Sequence, residues 1–413
     1  MASIIIANYR YFIAGGPEKY LFNVKDILEK NGHKTLPFSV KYSSNEPSAY
    51  DQYFVSPRDR EGRVYYRDIS PSFSSTANMI KKAFYSLEAK KNIIRLIRNE
   101  NADSVYILNF INSLSPSIID GAKSQGKRVV IRLSDFFLAC ARYDFLYRGN
   151  ICEKCLNGCL FNAVFKKCVH ESLPASLIRV LSMYFHRILG VYKRVDCFIS
   201  PSGFLRDKMI ESGIKPEKIH HLPTFIDSSV IKPDYKYSNY ILYFGRLTRH
   251  KGIETLINSA RHIKDRSLMI YIAGDASGAY AQGLQELCSK REINNVKFLG
   301  FLRDEKLREA VSGARFTVFP CLWYENMPNA LLEAFAHGKC AVGSNIGSIP
   351  EIIDDGQNGL LFEPGDETDL ADKISFLNSR PDLISEYSRN ARLKTEQEYN
   401  PETHYSRLIK LLL

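Results

Sequence analysis

Two glutamates near a predicted helix start are the clearest candidates for chemistry in this sequence. Glu325 lies in a predicted loop, and Glu333 lies about one turn inside a helix that should begin near Pro328 and end at Gly338. The free N–H groups of a helix N-terminus attract anions, and carboxylates accept hydrogen bonds from vicinal hydroxyls. The pair therefore suits a sugar nucleotide, which carries both groups; the alternative is two unrelated surface acids.

Two cations flank a second feature, a glycine turn between a strand and a helix. A strand predicted at residues 240–244 runs into Gly245, and a helix is predicted at residues 251–263. Arg246 and Lys251 lie on either side of the turn. A guanidinium and an ammonium beside the N–H groups of a helix start form a strong site for phosphate. The alternative interpretation is a pair of exposed loop cations.

A third feature able to receive an anion precedes the first predicted helix. A strand predicted at residues 3–7 is followed by Gly15 and Gly16, and Pro17 then suits the first turn of a helix that extends to about residue 31. Strand, glycine turn and helix N-terminus thus follow one another. We expect this segment to approach an anionic group.

The cysteines are strongly clustered, since five of the nine fall between residues 140 and 168. Cys152 and Cys155 form a Cys-x2-Cys pair, and Cys159 and Cys168 follow in a loop that contains Gly and Lys. These four are predicted ligands of a structural zinc ion, and the alternative is a group of reduced thiols. Because no export signal is visible, disulfides are the weaker explanation.

Strand-like and helix-like patterns alternate along the chain, which predicts an α/β fold with parallel sheets. With 413 residues, of which 45% are hydrophobic, the chain is long enough for two domains. The periodicity lapses at residues 223–240, the predicted linker. Further strands are predicted at residues 104–109, 128–133, 195–200, 268–273, 296–299 and 316–319.

The net charge of +11 is unevenly distributed. Residues 1–225 carry 33 Lys and Arg against 20 Asp and Glu, whereas residues 226–413 carry 23 against 25. The basic first half favours an anionic partner such as nucleic acid, an anionic membrane surface or a phosphorylated substrate. The alternative is a solvated basic surface.

The first half also offers two candidate surfaces for a membrane or a lipid diphosphate. Residues 177–194 are apolar with basic interruptions and fit an interfacial helix or a core helix whose Arg179, His186 and Arg187 face water. No stretch reaches the ~18 apolar residues of a membrane span, and no signal peptide is visible. The second surface is a basic and aromatic stripe of Lys81, Lys82, Tyr85, Lys90 and Lys91.

Taken together, the motifs resemble those of the retaining glycosyltransferases of family four. They extend from about residue 4 to residue 365 and are highly specific in combination. The motifs are Gly-Arg-Leu at residues 245–247, Lys251-Gly252, Glu325 with Glu333, Gly338-Lys339, Ile349-Pro350-Glu351, and Gly15-Gly16-Pro17-Glu18 before a helix that ends in Asn31-Gly32-His33.

The resemblance implies a GT-B architecture, in which two Rossmann-like domains face each other across a cleft. Residues 1–225 would form the acceptor-side domain, with a Cys-rich insertion at about residues 140–170. Residues 226–400 would form the donor-binding domain, and residues 401–413 a helix that crosses back to the first domain.

The resemblance also implies roles for single residues. Arg246 and Lys251 would hold the donor pyrophosphate, and Glu325 would contact the sugar hydroxyls, so these three lie closest to the chemistry. Glu333 would bind the ribose. The other donor-binding residues would be Gly15, Gly16, Gly245, Asn326, Met327, Pro328 and Asn329.

Two segments depart from the usual family pattern. The loop after Glu325 is Asn-Met-Pro-Asn instead of Gly-Phe-Gly, a form that a subset of the family has. A His-Asp pair after a first-domain strand is replaced by Ser134 and Asp135. This removes a histidine often placed near the donor sugar.

In function, the resemblance implies a cytoplasmic transferase, peripheral on the inner membrane face, that acts in cell-surface polysaccharide synthesis of the capsule, O-antigen or exopolysaccharide type. It would move a sugar, with retention, from a nucleoside diphosphate sugar to a glycan or lipid-linked acceptor. Two cations and a helix N-terminus can replace a catalytic metal, and the sequence has no Asp-x-Asp pair.

Other functions remain as alternatives. A sugar-nucleotide epimerase or a polysaccharide synthase could share this fold, as could a catalytically silent subunit. A nucleic-acid-binding protein is a different class, disfavoured because most aromatic residues lie at core-like spacings and not in an exposed basic groove.

Overall fold

The computed structural model describes residues 1–57, 73–111 and 114–413. Its strands are β1 (Ser3–Asn8), β2 (Lys34–Phe38), β3 (Ser104–Asn109), β4 (Arg128–Arg132), β5 (Leu146–Tyr147), β6 (Asn150–Ile151), β7 (Cys197–Ser200), β8 (Ile219–His221), β9 (Tyr240–Phe244), β10 (Met269–Ala273), β11 (Val296–Gly300), β12 (Thr317–Phe319), β13 (Ala341–Ser344) and β14 (Gly359–Phe362). Within these residues they form two six-stranded parallel sheets, ordered β2-β1-β3-β4-β7-β8 and β11-β10-β9-β12-β13-β14, and the antiparallel pair β5-β6.

Helices cover both sheets. Those of the first half are α1 (Gly16–Lys30), α2 (Phe73–Phe84), α3 (Leu87–Glu100), α4 (Ser117–Lys123), α5 (Asn162–Phe165), α6 (Leu173–Ile188) and α7 (Gly203–Glu211). Those of the second half are α8 (Ile253–Ser259), α9 (Ala279–Lys290), α10 (Asp304–Ser312), α11 (Asn329–Ala336), α12 (Ile349–Ile352), α13 (Glu367–Asn378), α14 (Pro381–Glu398) and α15 (Pro401–Leu412). The predicted α/β fold with two parallel sheets is confirmed.

Strand β1 shows why these apolar runs form central strands. Ile5 packs into the core on one face of the first sheet, while Ile4 and Ile6 pack into the core on the other face. Successive side chains of a strand point to opposite faces, so an uninterrupted apolar run fits a strand that helices cover on both sides.

Both sheets reverse their strand order next to a predicted site segment. The chain leaves β1 for β2 on one side, and β3 lies on the other; β9 is likewise flanked by β10 and β12. Ligands of open α/β sheets bind outside the carboxyl ends of the strands at such switch points. Gly15 and Gly16 come after β1, and Gly245 directly follows β9, so the topology places both glycine turns at ligand-binding positions.

The C-terminal helix returns to the first sheet, as predicted. Leu408 and Leu412 of α15 share a buried cluster with Ile4 and Ile6 of β1. The His404 ring and the Tyr20 hydroxyl are hydrogen-bonded at 3.0 Å. The helix thereby fastens the end of the second half to the first domain.

One predicted helix is shorter than expected because of a glycine. Residues 249–251 form a 3₁₀ turn, and α8 begins only after Gly252. Gly252 has φ of +69°, and a Cβ atom there would lie 1.6 Å from the Pro320 carbonyl oxygen. No other residue fits this close approach. Lys251 consequently ends a tight turn beside the end of β12 and is not part of the helix.

Both predicted membrane-facing surfaces need correction. His186 of α6 does not face water, because it is buried and hydrogen-bonds the Phe84 carbonyl oxygen at 2.7 Å. In the basic stripe, Lys82 is buried and donates to the Ser56 and Pro57 carbonyl oxygens. Among the described residues, no helix is long and apolar enough to cross a membrane.

Candidate functional site

A buried ion pair lies at the carboxyl end of the second sheet. Lys251, on the turn after β9, donates to the Glu325 carboxylate, which lies in the loop after β12. The indole N–H of Trp323 donates to the same oxygen of Glu325 at 2.6 Å. The structure thus brings together two predicted site residues that are separated by more than seventy positions in sequence.

The environment keeps both members of this pair charged. Burial by itself would raise the pKa of Glu325, but the Lys251 ammonium and the Trp323 hydrogen bond outweigh it, so the pKa lies below its ordinary value. Burial by itself would lower the pKa of Lys251, but the Glu325 carboxylate outweighs this effect. The pKa of Lys251 therefore lies above its ordinary value. A fixed ammonium and a fixed carboxylate are therefore present at neutral pH.

The backbone around Glu325 is also fixed. Gly347 adopts φ of +62°, and a Cβ atom there would lie 2.7 Å from the Glu325 backbone nitrogen. This absence of a side chain lets the Ser348 N–H donate to the Glu325 carbonyl oxygen at 3.0 Å. The segment after β13 thus fixes the backbone of the loop that carries Glu325.

His250 adds a neutral ring next to the ion pair. Its imidazole packs against the Trp323 ring at a centroid distance of 4.3 Å and hydrogen-bonds the Thr248 hydroxyl at 3.1 Å. Burial, together with the charges of Lys251 and Arg246, lowers the pKa of His250 to about 4. The sequence interpretation did not include this histidine, although it directly precedes Lys251.

Arg246 supplies an exposed cation at the rim. Gly245 and Arg246 are both exposed, and the Tyr243 hydroxyl fixes the turn by donating to the Arg246 carbonyl oxygen at 2.8 Å. No carboxylate within the described parts of the chain forms an ion pair with Arg246. This guanidinium is therefore available for a ligand.

The start of α11 faces the first glycine turn. A Cβ atom on Gly16 would lie 2.7 Å from the Asn329 side-chain nitrogen. Glu333, one turn into α11, forms an ion pair with Lys19 of α1 at 3.5 Å. The predicted groups of the two halves, Gly15 and Gly16 on one side and the α11 start on the other, are thus adjacent.

The loop before α11 bridges the two halves. Asn326 donates through its side-chain nitrogen to the Ser134 carbonyl oxygen at 2.6 Å. Its side-chain oxygen is buried and has no hydrogen-bond partner among the described residues. Met327 is partly buried against the core of the second sheet, and Pro328 directly precedes the helix. The Asn-Met-Pro-Asn loop therefore presents backbone and amide groups, not further charges.

Asp135 lies in the first domain beside this bridge. Burial raises its pKa to about 6, although the Phe137 N–H, which donates to Asp135 at 3.0 Å, and the Arg179 charge both oppose the shift. Asp135 therefore takes up its proton at a higher pH than an ordinary aspartate does. The structure gives it no contact with Lys251 or Glu325 among the contacts of the described residues.

Two motif residues outside the ion pair have structural roles. Glu351 accepts hydrogen bonds from the Gly203 and Phe204 N–H groups at 2.7 and 2.6 Å, so it caps α7 of the other domain. Lys339 is buried and donates to the Lys236 carbonyl oxygen in the linker at 2.8 Å; burial lowers its pKa to about 8. Sequence reasoning could not assign these partners, which lie more than 100 positions away.

Aromatic side chains add a further contact between the halves. Tyr324, next to Glu325, packs against Phe204 at a centroid distance of 4.7 Å and lies 6.3 Å from Phe136. The loop that carries Glu325 therefore packs against the first domain.

The predicted zinc ligands are only partly grouped. Cys159 is exposed, with its thiol 3.5 Å from the Tyr184 hydroxyl, whereas Cys155 is buried in a cluster against which Cys168 packs. In residues 1–57, 73–111 and 114–413, no three His, Cys, Asp or Glu side chains are placed to hold a metal ion. The set that includes Cys159 is not assembled, and zinc binding stays a prediction.

Comparison with known families identifies glycosyltransferase sequences over nearly the whole chain. A family described as Glycosyltransferase Family 4 matches residues 14–230, and one described as Glycosyl transferases group 1 matches residues 227–394.

Among curated proteins, the chain is 26% identical over 233 residues to alpha-maltose-1-phosphate synthase of Mycolicibacterium smegmatis, covering 50% of this chain and 59% of that protein. It is 24% identical over 257 residues to the putative colanic acid biosynthesis glycosyltransferase WcaL of Salmonella typhimurium, covering 59% and 63%. The matches thus span about three fifths of these relatives' length.

Among solved structures, sucrose-phosphate synthase of Thermosynechococcus elongatus aligns with a TM-score of 0.73 at 16% identity, covering 100% of this chain and 98% of that one. Anabaena HepE in complex with UDP-glucose aligns with a TM-score of 0.63 at 15% identity, covering 99% of each chain. At these identities the likeness concerns the fold, which is GT-B.

Proposed function

The chain belongs to glycosyltransferase family 4, and from this premise we propose that it transfers a sugar from a nucleoside diphosphate sugar to a glycan or lipid-linked acceptor. The transfer retains the anomeric configuration and needs no catalytic metal. The likeness to a putative colanic acid biosynthesis glycosyltransferase supports a role in cell-surface polysaccharide synthesis.

The observation that carries this proposal is the buried Lys251–Glu325 pair beside the exposed Arg246. It lies at the carboxyl end of β9 and β12, the switch point of the second sheet. A nucleoside diphosphate sugar offers a pyrophosphate for the two cations and sugar hydroxyls for the carboxylate. That HepE has been solved with UDP-glucose supports a donor of this class.

During transfer, negative charge develops on the leaving phosphate as its bond to the anomeric carbon breaks. Lys251 and Arg246 stabilise this charge, and Lys251 does so without moving because Glu325 already holds it. The two cations and the free N–H groups at the start of α11 replace the Lewis-acidic ion that other transferases use.

We assign the ribose end of the donor to Glu333. In the structure Glu333 pairs with Lys19, whose side chain is 53% exposed. An ion pair this open to water contributes little to stability, so ribose hydroxyls can displace the lysine at small cost. The Asn326 side-chain oxygen, which has no hydrogen-bond partner among the described residues, supplies a further acceptor for a donor hydroxyl.

Retention follows from reaction on one face of the sugar. The acceptor hydroxyl attacks from the side that the phosphate leaves, and the departing phosphate oxygen takes its proton. No protein nucleophile is required, so Arg246, Lys251 and Glu325 act by charge and position.

For localisation, we propose a cytoplasmic enzyme, peripheral on the inner membrane face. The first half carries the positive charge of the chain, and α6 exposes Ile188 and Leu181 beside the exposed Arg187. Apolar side chains flanked by cations suit an anionic lipid surface. Ile188→Asp should reduce co-sedimentation with anionic vesicles, while Phe301→Asp, at an exposed position of the second half, should not.

A panel of sugar nucleotides tests the donor assignment. One nucleotide sugar should raise the thermal midpoint of the full chain, with a stabilisation of about 2.7 kcal/mol at one hundred times its Kd. Transfer should then persist in EDTA, and NMR of the product should show a retained anomeric configuration. Salt-sensitive binding of RNA or DNA, with no response to any sugar nucleotide, would instead indicate a nucleic-acid-binding protein.

A further inference from the structure

A cavity in the first domain lies outside the site described above. It has a volume of about 540 Å³ and lies between α6 and the loop that joins α7 to β8. The loop after β4 and the 3₁₀ turn at residues 191–194 complete its wall. None of the described residues that line it belongs to the candidate functional site. Its volume is in the range of cavities that bind small molecules.

The cavity is strongly basic. Among the described residues that line it, five are cations and one is a carboxylate. The carboxylate, Glu217, is exposed and forms an ion pair with the exposed Lys215 at 3.7 Å. Asp135 acts on Arg179 through its charge, but it does not line the cavity. The remaining four lining cations are Arg179, Arg187, Lys193 and Lys218.

Carbonyl oxygens, and not carboxylates, hold these cations in place. Nζ of Lys218 donates to the Lys193 and Val195 carbonyl oxygens, each at 2.8 Å. Nη2 of Arg187 donates to the Leu138 carbonyl oxygen at 3.2 Å. Within the described parts of the chain, no carboxylate forms an ion pair with any of the four. Their charges are therefore available to an anion.

Much of the remaining wall is apolar. Phe137, Met183 and Phe198 line the cavity and are buried, and Ile214 lines it and is partly buried. The Tyr192 ring, also in the wall, packs edge-on against Phe137 at a centroid distance of 6.0 Å. Hydrocarbon gains free energy when it leaves water for such a surface. The cavity thus combines fixed cations with a wall suited to an apolar chain.

Exposed apolar side chains lie next to this basic wall. Arg187 lines the cavity, and Ile188 and Leu189, which follow it directly, are both exposed. Exposed apolar groups beside cations indicate a ligand that carries both a charged group and a hydrocarbon part. An inorganic phosphate ion would use the cations and leave the apolar groups in water. The charge and the apolar surface together favour a lipid.

We propose that this cavity binds the phosphate group of a single anionic lipid, whose hydrocarbon chain lies along the apolar wall. The phosphate oxygens accept hydrogen bonds from Arg187, Lys193 and Lys218. The site rests on the membrane attachment proposed above and not on sugar transfer. Attraction to an anionic surface needs no cavity, whereas this site takes one lipid molecule per chain.

Calorimetric titration of the full chain with octyl phosphate, below the concentration at which it forms micelles, tests the site. One molecule should bind per chain, and each methylene added between butyl and octyl phosphate should tighten binding about 3-fold. Inorganic phosphate and octanol should bind much more weakly. Equal affinity for inorganic phosphate would assign the cavity to the free ion, and equal affinity for octanol would assign it to hydrocarbon alone. Either result would overturn the proposal.

Charge reversal at the exposed cations locates the binding. Arg187→Glu and Lys193→Glu should each weaken octyl phosphate binding about 10-fold or more, as for hydrogen bonds to charged groups. Lys41→Glu makes the same charge change at an exposed lysine of the first half outside the cavity, and it should keep wild-type affinity. An equal loss in Lys41→Glu would reduce the effect to net charge. A loss in Lys251→Ala would place the alkyl phosphate in the donor site.

Photolabelling locates the site without any variant. An alkyl phosphate with a diazirine on its chain should label peptides that contain residues 181–193 or 212–218. Label confined to the second half would contradict the proposal, as would single-stranded DNA that needs Arg187 for binding when octyl phosphate does not bind at all. Because these measurements contain neither vesicles nor a sugar nucleotide, their failure is distinct from failure of the membrane attachment or of the donor assignment.

Discussion

The two halves of the molecule contribute to the candidate site in different ways. The second half carries a charge of −2, yet it supplies both cations, Arg246 and Lys251, and both carboxylates. The first half carries +13, yet it faces these groups with Gly16 and the Ser134 carbonyl oxygen. The position of single fixed charges, and not the net charge of a domain, defines the candidate site.

The physical reason lies in the cost of burying charge. Lys251 and Glu325 are both largely removed from water and stay charged only because each compensates the other. An excess of surface cations, as in the first half, acts at long range and is screened by salt. The first half should therefore attract and orient anionic partners, while the second half performs the chemistry.

Removing the Lys251 ammonium should produce the largest effect. Lys251→Ala should lower kcat about 100- to 1,000-fold, the loss typical of one group that stabilises transition-state charge. Steady-state kinetics with the identified donor measures it. Lys264→Ala, an exposed cation of the same half, is the control and should keep wild-type kcat. Full activity of Lys251→Ala would show that fixed cations of the second half do not carry the chemistry.

Glu333→Ala should come next and should act on binding. Loss of a carboxylate that accepts ribose hydroxyls should raise the Kd for the nucleotide about 10-fold or more, as for hydrogen bonds to charged groups. Calorimetric titration measures the change, and Glu305→Ala, at an exposed acid of α10, should leave the Kd unchanged. An unaltered Kd in Glu333→Ala would place the ribose elsewhere.

Asp135 allows a test of the first half through pH. Its pKa is raised to about 6, so the folded protein holds this proton more tightly than the unfolded chain. Stability should therefore fall as pH rises from about 4 to about 6, by about 3 kcal/mol from this group, and stay level above. Denaturant unfolding at several pH values should show a flatter profile for Asp135→Asn. The exposed Asp207→Asn serves as the comparison and should keep the wild-type slope.

The smallest effect is expected at the contact between the halves. Glu351→Ala removes the acceptor for two N–H groups at the start of α7, which should cost about 1 kcal/mol, as for loss of a helix cap. Thermal unfolding measures the loss, and Glu386→Ala, at an exposed position of α14, provides the reference. If the two variants unfold at the same temperature, Glu351 does not fasten the domains together.

Much of the site was predictable because its parts are local. The turn with Gly245 and Arg246 directly follows β9, and Glu333 lies on the first helix after Glu325, so spacing made both groups candidates, and the resemblance to the family gave them roles. The start of the following helix was not predicted correctly. Gly252 ends the turn because the Pro320 carbonyl oxygen lies against it. That oxygen belongs to a strand end far along the chain.

By itself, the sequence determined the α/β alternation, the two halves and the charged residues of the second, because these depend on periodicity and on neighbours within one or two turns. Only the tertiary structure decided the partners: Lys251 with Glu325, and Asn326 with Ser134. Such pairs join distant segments, and their choice depends on how whole helices and sheets pack, which no local spacing records.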